Sequence, residues 1–210
     1  MIKLLIADDH TVVREGLKQI VSDTSDIVVA DEASNGQEVL DKVWKNDYDV
    51  VLLDISMPGR SGLDVLEELK RKKPSLPVLV LSIYPEEQYA IRVLKSGASG
   101  YLTKGSAPNE LIEAIQKVSS GGKYVTASLA EKLAVNLEIE SELKPHETLS
   151  NREFQTLCLI GSGKTVKEIA EELSLSVKTI STYRERILEK MKMKTNSELT
   201  YYAIKNGLVP

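Results

Sequence analysis

The chain has 210 residues, 42% hydrophobic and 28% charged, with a formal net charge of −4. That composition suits folded globular protein and excludes a disordered or fibrous chain. No apolar run nears the roughly 18 residues of a membrane span, and Met1-Ile2-Lys3 does not open a signal peptide, so a cytoplasmic protein without a membrane partner is expected.

The first 120 residues alternate short Val/Ile/Leu runs with helical patterns. Strands are predicted at 2–7, 27–31, 49–53, 77–81 and 100–102. Runs without polar alternation read as strands covered on both faces. Helices are predicted at 11–22, 35–45, 62–73, 86–96 and 107–120, the last with Ser106 as cap and Pro108 in its first turn. Trp44 is expected to pack within its helix. The pattern predicts an α/β doubly wound (βα)5 domain over 1–122.

Residues 123–147 read as a linker. Leu129, Leu133 and Leu137 keep i, i+4 spacing, and Glu138, Glu140, Glu142 and Pro145 then break the pattern. From 148 to 210 a small all-α domain of four helices is predicted. Ser150-x-x-Glu153 and Thr165-x-x-Glu168 are capping boxes. Ser176 caps a third helix at 177–191, and Ser197 opens a fourth near 197–206 that Gly207 stops. The pair 165–173 and 176–191 reads as a helix-turn-helix. Val177, Ile180, Ile187 and Met191 are expected to face the bundle. The single cysteine, Cys158, excludes an intrachain disulfide and fits a helix core. Gly161-Ser162-Gly163-Lys164-Thr165 lacks the glycine and the strand that a phosphate-cradling loop needs, so it reads as a break between helices.

Charge changes sign along the chain. Residues 1–123 hold 15 Lys+Arg and 19 Asp+Glu, and residues 148–210 hold 10 and 7. Only the last third is therefore expected to meet a polyanion.

Polar residues stand where four strands end: Asp8 and Asp9, Asp54, Ser82 and Lys104. Open parallel sheets collect their reacting groups at that edge. Three close carboxylates repel strongly, and a hard divalent ion with oxygen ligands relieves this; magnesium suits such a site. Asp54 could then accept a phosphoryl group, with Lys104 balancing charge on its oxygens. His10 is expected at the pocket rim.

These strings carry a resemblance. Asp8-Asp9-His10, Leu53-Asp54-Ile55-Ser56-Met57-Pro58-Gly59, Leu81-Ser82 and Gly97-Ala98-Ser99-Gly100-Tyr101-Leu102-Thr103-Lys104 resemble the receiver domain of two-component response regulators. Leu149-Ser150-Asn151-Arg152-Glu153, Lys167-Glu168-Ile169-Ala170-Glu171-Glu172-Leu173 and Ser176-Val177-Lys178-Thr179-Ile180 resemble the LuxR-type helix-turn-helix. The pair in this order is similar to the NarL/FixJ class.

The resemblance implies a parallel sheet of order 2-1-3-4-5. It implies Asp54 as phosphoacceptor, and Mg2+ (or Mn2+) held by Asp9 directly, Asp8 mainly through water, Asp54, and the backbone carbonyl of Ser56. Lys104 would contact the phosphoryl group, and Ser82 and Tyr101 would be the switch pair. Gly105 replaces the family's frequent proline, and Ile83 replaces a small residue. A sensor histidine kinase would be the phosphodonor. The protein would be a transcriptional regulator rather than an enzyme, dimerising on activation to bind paired half-sites in double-stranded DNA. Helix 177–191 would enter the major groove. Lys178, Thr179, Tyr183 and Arg186 would contact phosphates, and Ser181, Thr182 and Glu185 would read bases. Leu199, Tyr202 and Ala203 would form the dimer helix. An aspartyl-nucleophile phosphatase would share the strand-end carboxylates but leave residues 148–210 without a role.

Overall fold

Leu4-Leu5-Ile6 and Val50-Val51-Leu52-Leu53 have no polar alternation, and the structure buries these strands on both faces. The computed structural model describes residues 1–131 and 144–209, in two units, Met1–Leu129 and Ala130–Pro210. The first unit alternates β1 (Ile2–Ala7), α1 (Thr11–Ser22), β2 (Ile27–Ala33), α2 (Gly36–Lys45), β3 (Val50–Asp54), α3 (Gly62–Lys72), β4 (Val78–Ser82), α4 (Glu86–Lys95), β5 (Gly100–Thr103) and α5 (Pro108–Ser119). All strands are parallel, in the order β2-β1-β3-β4-β5. This is the predicted doubly wound topology.

On one face of the sheet Leu4, Ile6, Leu52, Leu79 and Leu102 pack with Leu17 and Val21 of α1 and with Leu111, Ile115 and Val118 of α5. Period two sends Leu5, Val51, Leu53 and Val80 to the opposite face, where they are buried as well. Each such side chain contributes roughly 1.5–3 kcal/mol relative to exposure, so the central strands hold their carboxyl ends firmly in place.

Some local expectations are corrected. Ser106 does not cap α5: Ala107 is the N-cap, without a side-chain bond, and Ser106 Oγ pairs with Thr103 Oγ1 at 3.3 Å. Pro108 is the first helical residue, as expected. Trp44 is 38% exposed, and Lys72 Nζ of α3 lies 4.9 Å from its ring centroid. No cis peptide occurs among the described residues.

The start of the segment read as linker folds with the first unit. Tyr124 N donates to Ser99 O at 2.8 Å, Lys123 Nζ donates to Ala98 O at 2.6 Å, and Thr126 Oγ1 donates to Glu86 Oε2 at 2.7 Å. Leu133 and Leu137 lie outside the described residues.

The second unit contains a 3₁₀ turn (Pro145–Thr148), α6 (Asn151–Gly161), α7 (Val166–Glu172), α8 (Val177–Lys190) and α9 (Asn196–Lys205). The 3₁₀ turn lies where the sequence read as linker. Both capping boxes form, and Ser176 accepts from Thr179 N. Thr195, not Ser197, caps α9, because its hydroxyl accepts from Glu198 N. Cys158 is buried. Gly163 takes a φ of +82° between α6 and α7, the helix break that the sequence indicated. Val177 is 51% exposed rather than core-facing, since it opens α8; Ile180, Ile187 and Met191 are buried as expected.

Glu153 is only 2% exposed, yet its Oε2 accepts from Ser150 N at 2.8 Å and from Lys190 Nζ at 2.6 Å. Burial pushes its carboxyl up, but Lys190 and Ser150 together hold it below the usual range. Glu153→Ala removes a cap and a buried ion-pair partner. We expect a loss of about 1–3 kcal/mol, read from the urea midpoint of the second unit. A lowered folded pKa stabilises above the unfolded value of 4.5. That contribution should disappear as pH falls through the folded value. An unchanged midpoint in Glu153→Ala would contradict this assignment.

Candidate functional site

The sheet order explains why distant residues meet. β1 and β3 are neighbours, β3 and β4 are neighbours, and Ser82 stands beside Thr103. Their carboxyl ends therefore present Asp8 and Asp9, Asp54, Ser82 and Lys104 along one edge. Asp8, Asp54 and Ser82 are essentially buried.

Lys104 Nζ lies 2.7 Å from Asp54 Oδ2 and 2.6 Å from Asp8 Oδ2. Asp54 Oδ1 accepts from Ser56 N at 2.9 Å, which brings Ser56 to the pocket. His10 stands at the rim, its ring 65% exposed and its Nδ1 3.0 Å from Asp9 Oδ1. His10 N donates to Asp8 Oδ1 at 2.9 Å.

Two carboxylates share one ammonium. Burial pushes the Asp54 carboxyl above the usual range, against the pull of Lys104. Burial alone would lower Lys104, but the Asp54 charge and its hydrogen bond raise it above the ordinary lysine value. Both directions lessen the excess of negative charge.

The donor set fits a hard divalent cation. Asp8, Asp9, His10 and Asp54 each place one ligand atom so that all lie within 4.8 Å of one another. Asp8 Oδ2 has its ion pair with Lys104 and buried Asp9 Oδ1 its contact with His10 Nδ1, neither an aligned hydrogen bond, and buried Ser56 Oγ has no hydrogen-bond partner. Carboxylate oxygens converging at this spacing favour Mg2+ or Mn2+.

Ser82 and Tyr101 are joined through a residue that the sequence reading did not single out. Tyr84 N donates to Ser82 Oγ at 3.1 Å, and Tyr101 Oη donates to Tyr84 O at 2.7 Å. Tyr101 is fully buried, and the Tyr84 ring stacks on Tyr89 with centroids 4.9 Å apart. The position two residues after the hydroxyl was the available signal. Ile83 is 63% exposed beside Ser82.

In the second unit, α8 buries Ile180 and Ile187 and presents Lys178, Glu185 and Arg186 as exposed residues. Thr179, Ser181, Thr182 and Tyr183 are half-buried. The Ser181 hydroxyl donates to Val177 O at 2.9 Å and the Thr182 hydroxyl to Lys178 O at 3.0 Å, so both turn back on their own helix.

The expected dimer surface is corrected. Leu199 and Ala203 are fully buried, because the i, i+4 stripe of α9 packs inward; a Cβ on Gly161 would lie 2.7 Å from Ala203 Cβ. Tyr202 Oη pairs with His146 Nδ1 at 2.8 Å. The outer side of α9 carries Tyr201 and Ile204, 68% and 55% exposed.

Comparison with known proteins matches both units. Residues 4–116 fit the response regulator receiver domain, and residues 147–203 fit the bacterial regulatory proteins of the luxR family. The chain is 39% identical over 209 residues to the response regulator UvrY of Escherichia coli K12, covering 99% of this chain and 96% of that protein. It is 35% identical over 210 residues to the response regulator GacA of Pseudomonas aeruginosa, covering 100% and 98%. RcsB from Salmonella enterica serovar Typhimurium, bound to promoter rprA in the presence of the phosphomimetic BeF3−, aligns with a TM-score of 0.65 at 27% identity, covering 96% of this chain and 97% of that one. Among the described residues, no helix is long and apolar enough to cross a membrane.

Proposed function

The chain belongs to the two-component response regulators of the NarL/FixJ class, DNA-binding transcription regulators with a receiver domain and a LuxR-type helix-turn-helix, and we propose that phosphorylation of Asp54 controls its binding to promoter DNA. The observation that carries this reading is the buried cluster in which Lys104 bridges Asp54 and Asp8 beside the Asp9 carboxylate. The receiver domain spans 1–122 with the start of the connection 123–147 folded onto it, and the output domain spans 148–210.

A sensor histidine kinase supplies the phosphoryl group from a phosphohistidine. An Asp54 carboxylate oxygen attacks phosphorus; the new O–P bond forms as the donor's N–P bond breaks, leaving an acyl phosphate. Asp8, Asp9, Asp54 and the Ser56 backbone carbonyl would hold Mg2+ or Mn2+, which when bound neutralises charge on the phosphoryl oxygens. Lys104 turns from the carboxylates to a phosphoryl oxygen. The Ser82 hydroxyl donates to another, which draws on Tyr84 and so on the anchor of Tyr101. Activation produces a homodimer for paired half-sites in double-stranded DNA, in the cytoplasm. RcsB, solved bound to promoter rprA in the presence of the phosphomimetic BeF3−, supports the link between the phosphorylated pocket and promoter binding.

In the groove, Lys178, Thr179, Tyr183 and Arg186 meet phosphates, and Ser181, Thr182 and Glu185 meet bases. Lys178→Ala should weaken binding to all sequences alike and reduce the salt slope by about one unit. The Thr182 methyl suits a thymine methyl, and Glu185 can accept from a cytosine amino group. Thr182→Ala or Glu185→Ala should cost about 1–3 kcal/mol on the cognate site and far less on random DNA. Selection of preferred sequences by each variant tests the assignment. If Lys178→Ala altered the preferred bases while the other two left them unchanged, this orientation of α8 would be wrong.

A further inference from the structure

We infer that Arg14 is a positioning residue for the cation pocket, acting through the backbone of Asp8 without touching the reacting atoms. This rests on the reading of Asp8, Asp9 and Asp54 as that pocket. The Arg14 guanidinium ties three elements together. Its Nη1 donates to the carbonyl of Asp8 at 2.7 Å, its Nε to Glu32 Oε2 at 2.9 Å, and its Nη2 to Thr11 Oγ1 at 3.3 Å. The side chain is only 14% exposed.

The contact falls at a decisive place. The Asp8 carbonyl belongs to the peptide plane that joins Asp8 to Asp9, so its direction sets how both carboxylates leave the chain. The rest of that turn is also pinned: Asp8 N donates to Ala33 O at 3.0 Å, and Asp8 Oδ1 receives His10 N. Arg14 supplies the remaining tie. Glu32 in turn is brought into reach by a register shift of one residue between β1 and β2 after Leu4, which sets Glu32 beside Ile6. Lys18 holds the other oxygen of Glu32 at 2.7 Å. With Lys18 acting first and Arg14 after it, the Glu32 carboxyl stays below the usual range.

The residue type matters. A planar fork can reach a carboxylate and a carbonyl in fixed directions at once; an ammonium carries the charge but not that geometry. Groups that orient metal ligands from behind typically change metal affinity by about 10–100-fold when removed. The low end applies, because Arg14 acts on a backbone rather than on a carboxylate.

The test is calorimetric titration of the full-length protein with Mg2+, without phosphodonor, alongside thermal midpoints. Arg14→Gln should weaken Mg2+ binding about 10-fold. Arg14→Lys should weaken it nearly as much, although it keeps the charge. Glu32→Gln should weaken it less, and the double variant should be no worse than Arg14→Gln alone, since both act through one contact. If Arg14→Gln fails to fold, Arg14→Lys and Glu32→Gln carry the test. Unchanged Mg2+ affinity in the Arg14 variants, with a wild type that binds Mg2+, would overturn this inference alone, whatever the midpoints do. Full affinity in Arg14→Lys would likewise overturn it. A wild type that bound no Mg2+ would overturn both the inference and the pocket beneath it.

Discussion

Asp54→Ala is expected to reduce phosphoryl incorporation from acetyl phosphate to background. Asp54 ends β3 at the centre of the sheet, and it is the carboxylate that faces Lys104 from that strand. Asp8 lies beyond β1 and shares the same ammonium; its Oδ1 accepts from the backbone of His10 as Asp54 Oδ1 accepts from Ser56, so it is the place at the end of the central strand that sets Asp54 apart. The alanine variant loses the nucleophile without enlarging the side chain, so the fold should persist. Mass spectrometry of wild type and variant, with and without Mg2+, reads the outcome. Label on the variant, or label on the wild type in chelator, would show that another group is the acceptor.

Gly62→Ala should be the most damaging of the single-methyl changes near the pocket. A Cβ at that position would lie 2.1 Å from Asp54 O and 2.6 Å from Ile55 Cα. Those are backbone atoms and cannot rotate away. Either α3 withdraws from the strand end or the Asp54 backbone is displaced. Overpacking typically costs about 1–3 kcal/mol, and a clash against backbone belongs at the upper end of that range. Urea unfolding of the first unit should show this loss, and labelling of the surviving folded fraction should slow because Asp54 has moved. A midpoint equal to wild type would contradict the close approach.

The sheet was legible because its evidence is chemical and local. Five short apolar runs, four of them followed by a residue with a charge or hydroxyl, leave few ways to arrange a parallel sheet. The pocket residues followed from the same strand ends. What the sequence hid depends on exact placement. Ser106 reads as a cap until Ala107 proves to occupy the cap position, and Ser197 competes with Thr195 two residues earlier. Leu199 and Ala203 share an apolar stripe, and a stripe alone does not say whether it meets its own domain or another molecule. Tyr84 enters through backbone atoms that link Ser82 to Tyr101, and its position two residues after the hydroxyl is the one signal the sequence carries for it. Arg14 lies in the first helix with no neighbour in sequence to reveal Glu32; the two meet across β1 and β2, whose register shifts after Leu4.

The central claim joins the two units: the state of Asp54 sets the affinity of α8 for DNA. The most direct measurement is binding of the full-length protein to a genomic target duplex, with and without acetyl phosphate in Mg2+, at fixed salt, for wild type and Asp54→Ala. Phosphodonor should tighten wild-type binding at least about tenfold, roughly 1.4 kcal/mol, and leave Asp54→Ala at the weak level. Equal affinity of wild type in both conditions, or an Asp54→Ala variant that responded to phosphodonor as the wild type does, would contradict it.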